Sequence, residues 1–282
     1  MQFLNGPKPE CLRDHYSEPV GRMLNLRQNP YDEILKFTKP FPASSWPAID
    51  CQTCGIGQVQ VIAGKTEYFE SAESKKLREG NHENWEPEWI NGLFQTQLLC
   101  SESSCKSHYL AMGNYRLDQL SRRQPNGAEY QEILVLLAAQ PSFPISDRLP
   151  GETPDLVHER IKEAAKVIWL DPNAAGNRLR LAVEELLTDQ GIAKYGPKGT
   201  TDYIKTDVRI KKFEEVQPEA AELLFAVKWL GNEGSHGDTL TAEDVVLGVQ
   251  IFHEALKIVY NSTRQNIVRQ AGVINANKGK PR

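Results

Sequence analysis

The chain has 282 residues, a formal net charge of -4, and a composition of 40% hydrophobic and 25% charged residues. This length favours two hydrophobic cores over one, and this composition is that of a folded globular protein and not of a disordered chain. The negative net charge excludes a protein that coats nucleic acid through its overall electric field, so any such binding must use local basic patches.

The apolar runs of the chain, such as residues 133–139 and 223–230, are too short to cross a bilayer, and the first residues lack the apolar stretch of a signal peptide. We therefore expect a cytoplasmic protein with no membrane partner. Cysteine usage agrees with a reducing compartment, because four of the five cysteines form two close pairs, which favours metal binding over disulfides. Cys11 is the spare cysteine.

Residues 1–50 are rich in proline and aromatic residues without a regular period, which predicts an irregular lead-in packed on the domain that follows. Residues 51–139 alternate turn signals with short apolar runs, such as 94–99 and 109–112, which predicts a small β-rich domain. The polar stretch 71–88 is expected to be a surface insertion between two strands, with room for a short helix. Three tryptophans near this domain are assigned to its core and not to base stacking: Trp46, Trp85 and Trp89.

Residues 140–153 carry three prolines and a glycine, and we interpret them as the linker between two domains. From Thr153 onward, apolar residues recur at helical spacing, which predicts a helix ending near Asp171 and a second helix over residues 174–190. Gly191 is placed as the C-terminal stop of the second helix.

The remaining helices follow from charge, capping and periodicity. Residues 207–215 predict a short helix, and Pro218 opens a long helix that Gly231 is expected to end. Thr241 and Asp244 resemble a capping box at the start of a final long helix.

Two thiolate pairs, Cys51-x2-Cys54 and Cys100-x4-Cys105, predict a metal site. Four thiolates in tetrahedral geometry are the usual ligands of structural zinc. Gly55 can adopt a positive φ, which turns backbone N–H groups toward the sulfurs. The alternative is a set of ordinary buried thiols, but two pairs drawn from five cysteines favour zinc.

His108 is the alternative ligand, because Cys105-x2-His108 also has metal-ligand spacing. A site closed by four protein ligands leaves no coordination position for water. We therefore expect a structural Zn²⁺ and no zinc catalysis.

Residues 228–236, with the sequence KWLGNEGSH, are unusual because glycine, amide, hydroxyl and imidazole groups crowd one predicted interhelical turn. In the simplest interpretation, Gly231 ends the helix, Asn232 and Ser235 bond the backbone, and His236 caps or packs. A second interpretation is an anion nest for a phosphate or nucleotide.

Three stretches, residues 173–187, 221–224 and 228–236, resemble a bacterial domain-of-unknown-function family, family 4145, placed near the HEPN helical clan. The resemblance covers about residues 145–260, and members often follow a cysteine-pair zinc ribbon. It implies an α+β protein, in which a zinc ribbon-like domain precedes an all-α HEPN-like helical bundle. The resulting division is a lead-in (residues 1–50), a ribbon-like domain (51–139), a linker (140–153), a helical bundle (154–272) and a flexible tail (273–282).

Many HEPN proteins are metal-independent ribonucleases that use an arginine, often followed by asparagine, and a histidine a few residues on. Asn232 and His236 match this pattern, but Gly231 stands in the place of the arginine, and Lys228 is the nearest preceding cation. The resemblance therefore implies a catalytic set of His236, Lys228 and Asn232 only if Lys228 replaces the arginine, since RNA cleavage needs a base and a cation on the phosphate.

The leading hypothesis is a non-catalytic binding or scaffold protein that engages RNA, DNA or a protein partner. Relatives of the domain occur fused to restriction and other phage-defence proteins, which implies a defence-system partner. Many HEPN proteins act on RNA across a dimer interface, so the resemblance also implies a homodimer through the helical domain. The alternative is a metal-independent ribonuclease. Arg180 and Glu184, four residues apart, either pair with each other or orient His236.

Overall fold

The computed structural model describes residues 31–80, 83–120, 129–146, 148–197, 202–236, 239–260 and 262–280, and the side chains of residues 233–236 and 262–266 lie outside this description. Cys11 and the first 30 residues of the predicted lead-in therefore lie outside the described residues. The described residues form an antiparallel sheet followed by helices, which confirms the predicted α+β class.

The sheet has six strands in the order β1-β6-β5-β4-β3-β2, and every neighbouring pair is antiparallel. The bounds are β1 Phe41–Pro42, β2 Ile49–Asp50, β3 Gln58–Glu70, β4 Asn91–Cys100, β5 His108–Gln119 and β6 Tyr130–Gln140. The predicted apolar runs 94–99 and 109–112 lie in β4 and β5. Register shifts in β3 and at the β5–β6 pair add local twist, so the sheet curls.

Alternation of side chains places the core on one face of the sheet. Every second residue is buried along β4 and β5: Phe94, Thr96, Leu98 and Cys100, then Tyr109, Ala111, Gly113 and Tyr115. The predicted insertion is present, because α2 (Ala72–Glu79) lies between β3 and β4. The Ser71 hydroxyl caps α2 by accepting a hydrogen bond from the Ser74 N–H.

The helical half contains α3 (Asp155–Val167), α4 (Pro172–Asp189), α5 (Thr206–Glu214), α6 (Pro218–His236), α7 (Ala242–Tyr260) and α8 (Ser262–Asn277). The Asp171 carboxylate caps α4, and Gly191 adopts φ +76 just after it, as expected of a helix stop. Thr241 and Asp244 exchange backbone and side-chain hydrogen bonds, so the predicted capping box is confirmed. No helix in the described ranges is both long and apolar enough to cross a membrane.

The prediction that Gly231 ends a helix is wrong, because α6 continues through to His236. Gly231 is buried where α6 crosses α4, and a Cβ there would lie 2.7 Å from Arg180 Cβ and 2.8 Å from the Gly176 carbonyl oxygen. The glycine therefore permits a close helix crossing and does not act as a stop. Nest geometry needs a non-helical turn, so the helical backbone also removes the anion-nest interpretation.

The predicted flexible tail, residues 273–282, begins within α8, which ends at Asn277. Gly272 is tolerated within this helix, and Gly279 follows it as the next helix-breaking residue. All described side chains from residue 267 to residue 280 are exposed.

Aromatic packing joins the sheet half to the helices. The Phe37 ring, just after α1 (Asp32–Lys36), lies 5.3 Å from Phe143 and 5.9 Å from Trp169, measured between ring centroids. It also packs on Phe41 and Trp46, so Trp46 has the predicted structural role. Phe143 belongs to the predicted linker, so this segment contributes to one continuous core.

Candidate functional sites

Sheet register brings the two cysteine pairs together. Cys51 and Cys54 lie in the turn between β2 and β3, while Cys100 ends β4 and Cys105 lies in the turn before β5. Val59 of β3 pairs with Cys100 of β4, so the two turns meet at the same end of the sheet. The four Sγ atoms all lie within 4.8 Å of one another.

Two sulfur–sulfur contacts join one turn to the other. Cys51 Sγ lies 3.8 Å from Cys105 Sγ, and Cys54 Sγ lies 3.7 Å from Cys100 Sγ. The four cysteines could therefore hold one metal ion. His108 is exposed and does not belong to this cluster, because the alternation of β5 directs it away from the buried Tyr109 face.

Hydrogen-bond donors surround the sulfurs. The Gly57 N–H lies 3.4 Å from Cys54 Sγ, and the Glu102 N–H lies 3.4 Å from Cys100 Sγ. The Tyr109 hydroxyl contacts Cys51 Sγ at 3.3 Å and accepts a hydrogen bond from the Gln52 N–H. Sequence reasoning missed Tyr109, although its position two residues before Ala111 in the β5 apolar run was a signal that the two share one face.

Three of the thiols, Cys51, Cys54 and Cys100, differ in acidity. Burial opposes ionisation of Cys51, but hydrogen bonds from Tyr109 and from the Cys54 and Thr53 backbone outweigh it and lower its pKa to about 6. Backbone hydrogen bonds from Gly57 and Ile56 lower the pKa of Cys54. Burial raises the pKa of Cys100 to about 12. Cys51 and Cys54 therefore form thiolates more readily than Cys100.

Both cysteine turns use left-handed backbone immediately after their second cysteine. Gly55 has φ +64, as predicted, and Lys106 has φ +49. Gly57 has a different role, because a Cβ there would lie 2.6 Å from Cys100 Sγ and 2.8 Å from the Glu102 backbone nitrogen. A side chain at position 57 would therefore push the two turns apart.

The second candidate site lies on α6. Lys228, Asn232 and His236 are four residues apart, so a continuous helix places them along one face. Lys228 is only 5% exposed, and its Nζ lies 2.6 Å from Asp207 Oδ1 and 3.3 Å from the Trp229 ring centroid. The His236 side chain lies outside the described residues, so its catalytic role stays a prediction.

A polar cluster between α4 and α5 flanks this helix. Arg180 Nη1 donates to Glu184 Oε1 at 2.6 Å, so these two residues pair with each other, which is one of the two expectations for them. Glu184 also accepts a hydrogen bond from the Thr206 hydroxyl at 2.9 Å. The fully buried Arg209 donates to the Thr188 hydroxyl and to the Ile192 carbonyl. Of the contacts in this cluster, only the Arg180–Glu184 pair could be expected from residue spacing in the sequence.

These features define a class of protein in which an antiparallel sheet with a four-cysteine cluster is followed by a set of helices. Residues 162–277, from α3 to the end of α8, match the model of a domain of unknown function, DUF4145, which supports the resemblance to family 4145. Residues 39–136 match a second domain of unknown function, DUF8608. No significant match is found among curated proteins or among solved structures.

Proposed function

We propose that the protein is a non-catalytic binding or scaffold protein whose N-terminal sheet is closed by one structural Zn²⁺ in a ribbon-like arrangement. The observation that carries this proposal is the convergence of four sulfurs within 4.8 Å of one another. A tetrahedron with Zn–S bonds of about 2.3 Å requires sulfurs about 3.8 Å apart. The distances of 3.8 Å and 3.7 Å between turns fit that requirement.

The donor set supports a structural role for the ion. Four thiolates fill a tetrahedral coordination shell, so a bound zinc keeps no open position for water or substrate. The N–H and O–H groups around the sulfurs stabilise their negative charge and hold the two turns in position.

Metal analysis tests this proposal directly. Protein purified without added metal is expected to carry one zinc per chain, and Cys54→Ser and Cys105→Ser are each expected to lose it. These two cysteines are only half-buried, so their replacement disturbs packing least. Cys11→Ser is the matched control and should retain zinc. Full zinc retention by either cluster variant would contradict the four-cysteine site.

The binding-only proposal is preferred to the ribonuclease alternative because of Lys228. Its amine is buried and paired with Asp207, so it must leave that ion pair before it can contact a phosphate. Incubation of the zinc-loaded full chain with RNA, without added divalent metal ions, separates the two proposals. We expect intact RNA. Degradation that His236→Ala abolishes would overturn the binding-only function.

Exposed apolar side chains on the outer face of the sheet support a protein partner within the proposed phage-defence context. Phe69 and Leu93 are paired across β3 and β4, and Leu110 and Met112 lie on β5. Each is between 41% and 55% exposed. Several exposed apolar side chains on one face of a sheet are a feature of interaction sites.

We further propose that the protein forms a homodimer through the helical half. Four apolar residues of α8 are between 41% and 63% exposed: Ile267, Val268, Val273 and Ile274. Light scattering is expected to give twice the 31.8 kDa chain mass, and the double variant Ile267→Lys with Ile274→Lys should give the monomer. Leu170→Lys, at a 70% exposed site outside α8, is the control. A monomeric unmodified chain would contradict this assembly.

A further inference from the structure

One edge of the sheet is only partly covered. Strand β3 runs over 13 residues, but among the residues that the structure describes the terminal strand β2 pairs with only Gln58 and Val59 of it. The rest of this edge faces no described strand. An uncovered edge presents backbone N–H and C=O groups that have no partner in the sheet, and such groups are a template for another strand.

A bulge limits the part of this edge that can pair regularly. The register of β3 against β4 shifts between Val61 and Thr66, and Gly64 inside the bulge has φ +72. A bulge disrupts the ladder and increases the local twist. From Thr66 onward the pairing with β4 is regular again, so a further strand can add along residues 66–70, which we call the open edge.

The ladder with β4 shows which backbone groups of the open edge point outward. The Ser71 N–H donates to the Asn91 carbonyl oxygen at 2.8 Å, so these opposite residues form a hydrogen-bonded pair. Hydrogen-bonded and non-hydrogen-bonded pairs alternate along an antiparallel ladder. The even-numbered residues of the open edge therefore direct their N–H and C=O groups away from β4: Thr66, Tyr68 and Glu70.

The outer side chains of the open edge specify what an added strand must carry. Glu67 and Phe69 are both exposed, and Phe69 continues the apolar outer face through its register partner Leu93. Glu67 accepts a hydrogen bond from Gln95, and within the described part of the chain it forms no ion pair. A strand is complementary when it places an apolar side chain opposite Phe69 and a cation opposite Glu67.

A second copy of the chain does not meet this requirement. Antiparallel pairing of two open edges about Tyr68 would place Glu67 of each copy opposite Phe69 of the other, so neither carboxylate would face a cation. Pairing about Thr66 would bring Lys65 opposite Glu67, but Lys65 lies inside the bulge, where the ladder is disrupted. The open edge therefore favours a strand from a different protein.

We propose that the open edge binds an extended segment of a partner protein, which adds an antiparallel strand to the sheet. The segment carries an apolar residue opposite Phe69 and, two positions later, a lysine or arginine opposite Glu67. The antiparallel direction matches every other pair in the sheet. Main-chain hydrogen bonds supply affinity in this mode of recognition, and alternate side chains supply specificity. This inference rests on the proposed binding function and names the type of segment that is bound.

Fluorescence anisotropy with the zinc-loaded full chain tests the charge requirement. The probe is a labelled peptide with the central sequence TVTKT, in which valine is to lie opposite Phe69 and lysine opposite Glu67, and TVTET is its charge-reversed counterpart. We expect TVTKT to bind at least about threefold more tightly, as for a cross-strand charge pair. Glu67→Lys should reverse this preference. Glu159→Lys makes the same charge change at an exposed site on α3 and should keep it.

A matched pair of variants at Tyr68 tests the backbone pairing. Tyr68→Pro removes the N–H that points to the open side, and it is expected to bind TVTKT at least about tenfold more weakly than Tyr68→Val, which also lacks the ring but keeps the N–H. Proline is tolerated at an edge strand where the nitrogen faces solvent. Zinc content and thermal unfolding are measured for both variants, and Glu67→Lys decides the outcome if Tyr68→Pro does not fold.

Three results would overturn the proposal. The first is no binding of either peptide, and the second is an unchanged peptide preference in Glu67→Lys. The third is equal binding of TVTKT by Tyr68→Val and a folded Tyr68→Pro. The proposed zinc-closed scaffold is tested by metal content, so loss of peptide binding by a chain that retains zinc contradicts the strand proposal alone.

Discussion

Two positions in the cysteine turns illustrate how far single residues can be predicted. Gly55 was visible in the sequence, because glycine after a second cysteine is suited to the positive φ that it adopts. Lys106 occupies the equivalent position in the second turn with φ +49, and nothing in its chemistry favours that conformation. The contact between Tyr109 and Cys51 was equally hidden, because it depends on strand pairing across 58 positions.

The first prediction at this scale concerns Gly57. Gly57→Ala places a Cβ against Cys100 Sγ at 2.6 Å, so the turns must separate and zinc affinity should fall by about 10–100-fold. Competition with a chromogenic chelator measures this. Gly151→Ala is the control, because a Cβ at that position meets no atom within 4 Å. Equal affinities for the two variants would show that Gly57 does not set the turn spacing.

The second prediction concerns the strained lysine. Lys106→Gly removes a left-handed non-glycine residue and should stabilise the zinc-loaded protein by about 0.5–1 kcal/mol, after allowing for the greater freedom of the unfolded chain. Denaturant unfolding measures the change. Lys278→Gly is a matched control, because Lys278 has φ +46 but lies at the exposed end of the chain beyond α8. A lower free energy of unfolding for Lys106→Gly would show that the left-handed conformation of Lys106 is not strained.

At the scale of elements, periodicity predicted the helices better than it predicted their ends. The apolar spacing and the Thr241–Asp244 box located α3, α4 and α7, because these signals are local. Gly231 was misread because glycine serves both as a helix stop and at a close helix crossing, and only the position of α4 distinguishes the two. The missed length of α6 changed the geometry of Lys228 and Asn232 from a turn to one helix face.

Gly231→Ala tests the crossing between α4 and α6. Its Cβ would approach Arg180 Cβ and the Gly176 carbonyl oxygen within 2.8 Å, so we expect a destabilisation of about 1–3 kcal/mol. Circular dichroism during denaturant unfolding gives the value. Gly272→Ala in α8 meets no atom within 4 Å and should leave stability unchanged or raise it, since alanine favours helix. A stabilising effect of Gly231→Ala would show that the helices do not approach this closely.

At the scale of the whole molecule, the sequence predicted two types of structure but not how they pack together. Phe37, Phe143 and Trp169 are far apart in the chain, and no local pattern shows that their rings meet. The same holds for the hydrogen-bonded contact between the Tyr31 hydroxyl and His253 at 2.8 Å. Long-range contacts of this kind require the three-dimensional structure.

Removal of the proposed zinc ion tests the connection between the two halves. Chelation is expected to unfold the sheet and to lower the melting midpoint of the helices, by about 2–4 °C for each kcal/mol of aromatic packing lost around Trp169. Circular dichroism at two wavelengths and tryptophan fluorescence follow the two processes. Phe37→Ala should make the helical midpoint insensitive to zinc. A midpoint that is unchanged by chelation in the unmodified chain would show that the halves are energetically independent.

The pairing of Val59 with Cys100 has a consequence for how the sheet is assembled. A slip of one residue between β3 and β4 would turn Cys100 toward the opposite face, and its sulfur would no longer reach Cys54. Four thiolates can close around one ion only when the strands are correctly aligned. A bound metal would therefore stabilise the correct strand pairing over every misaligned alternative during folding.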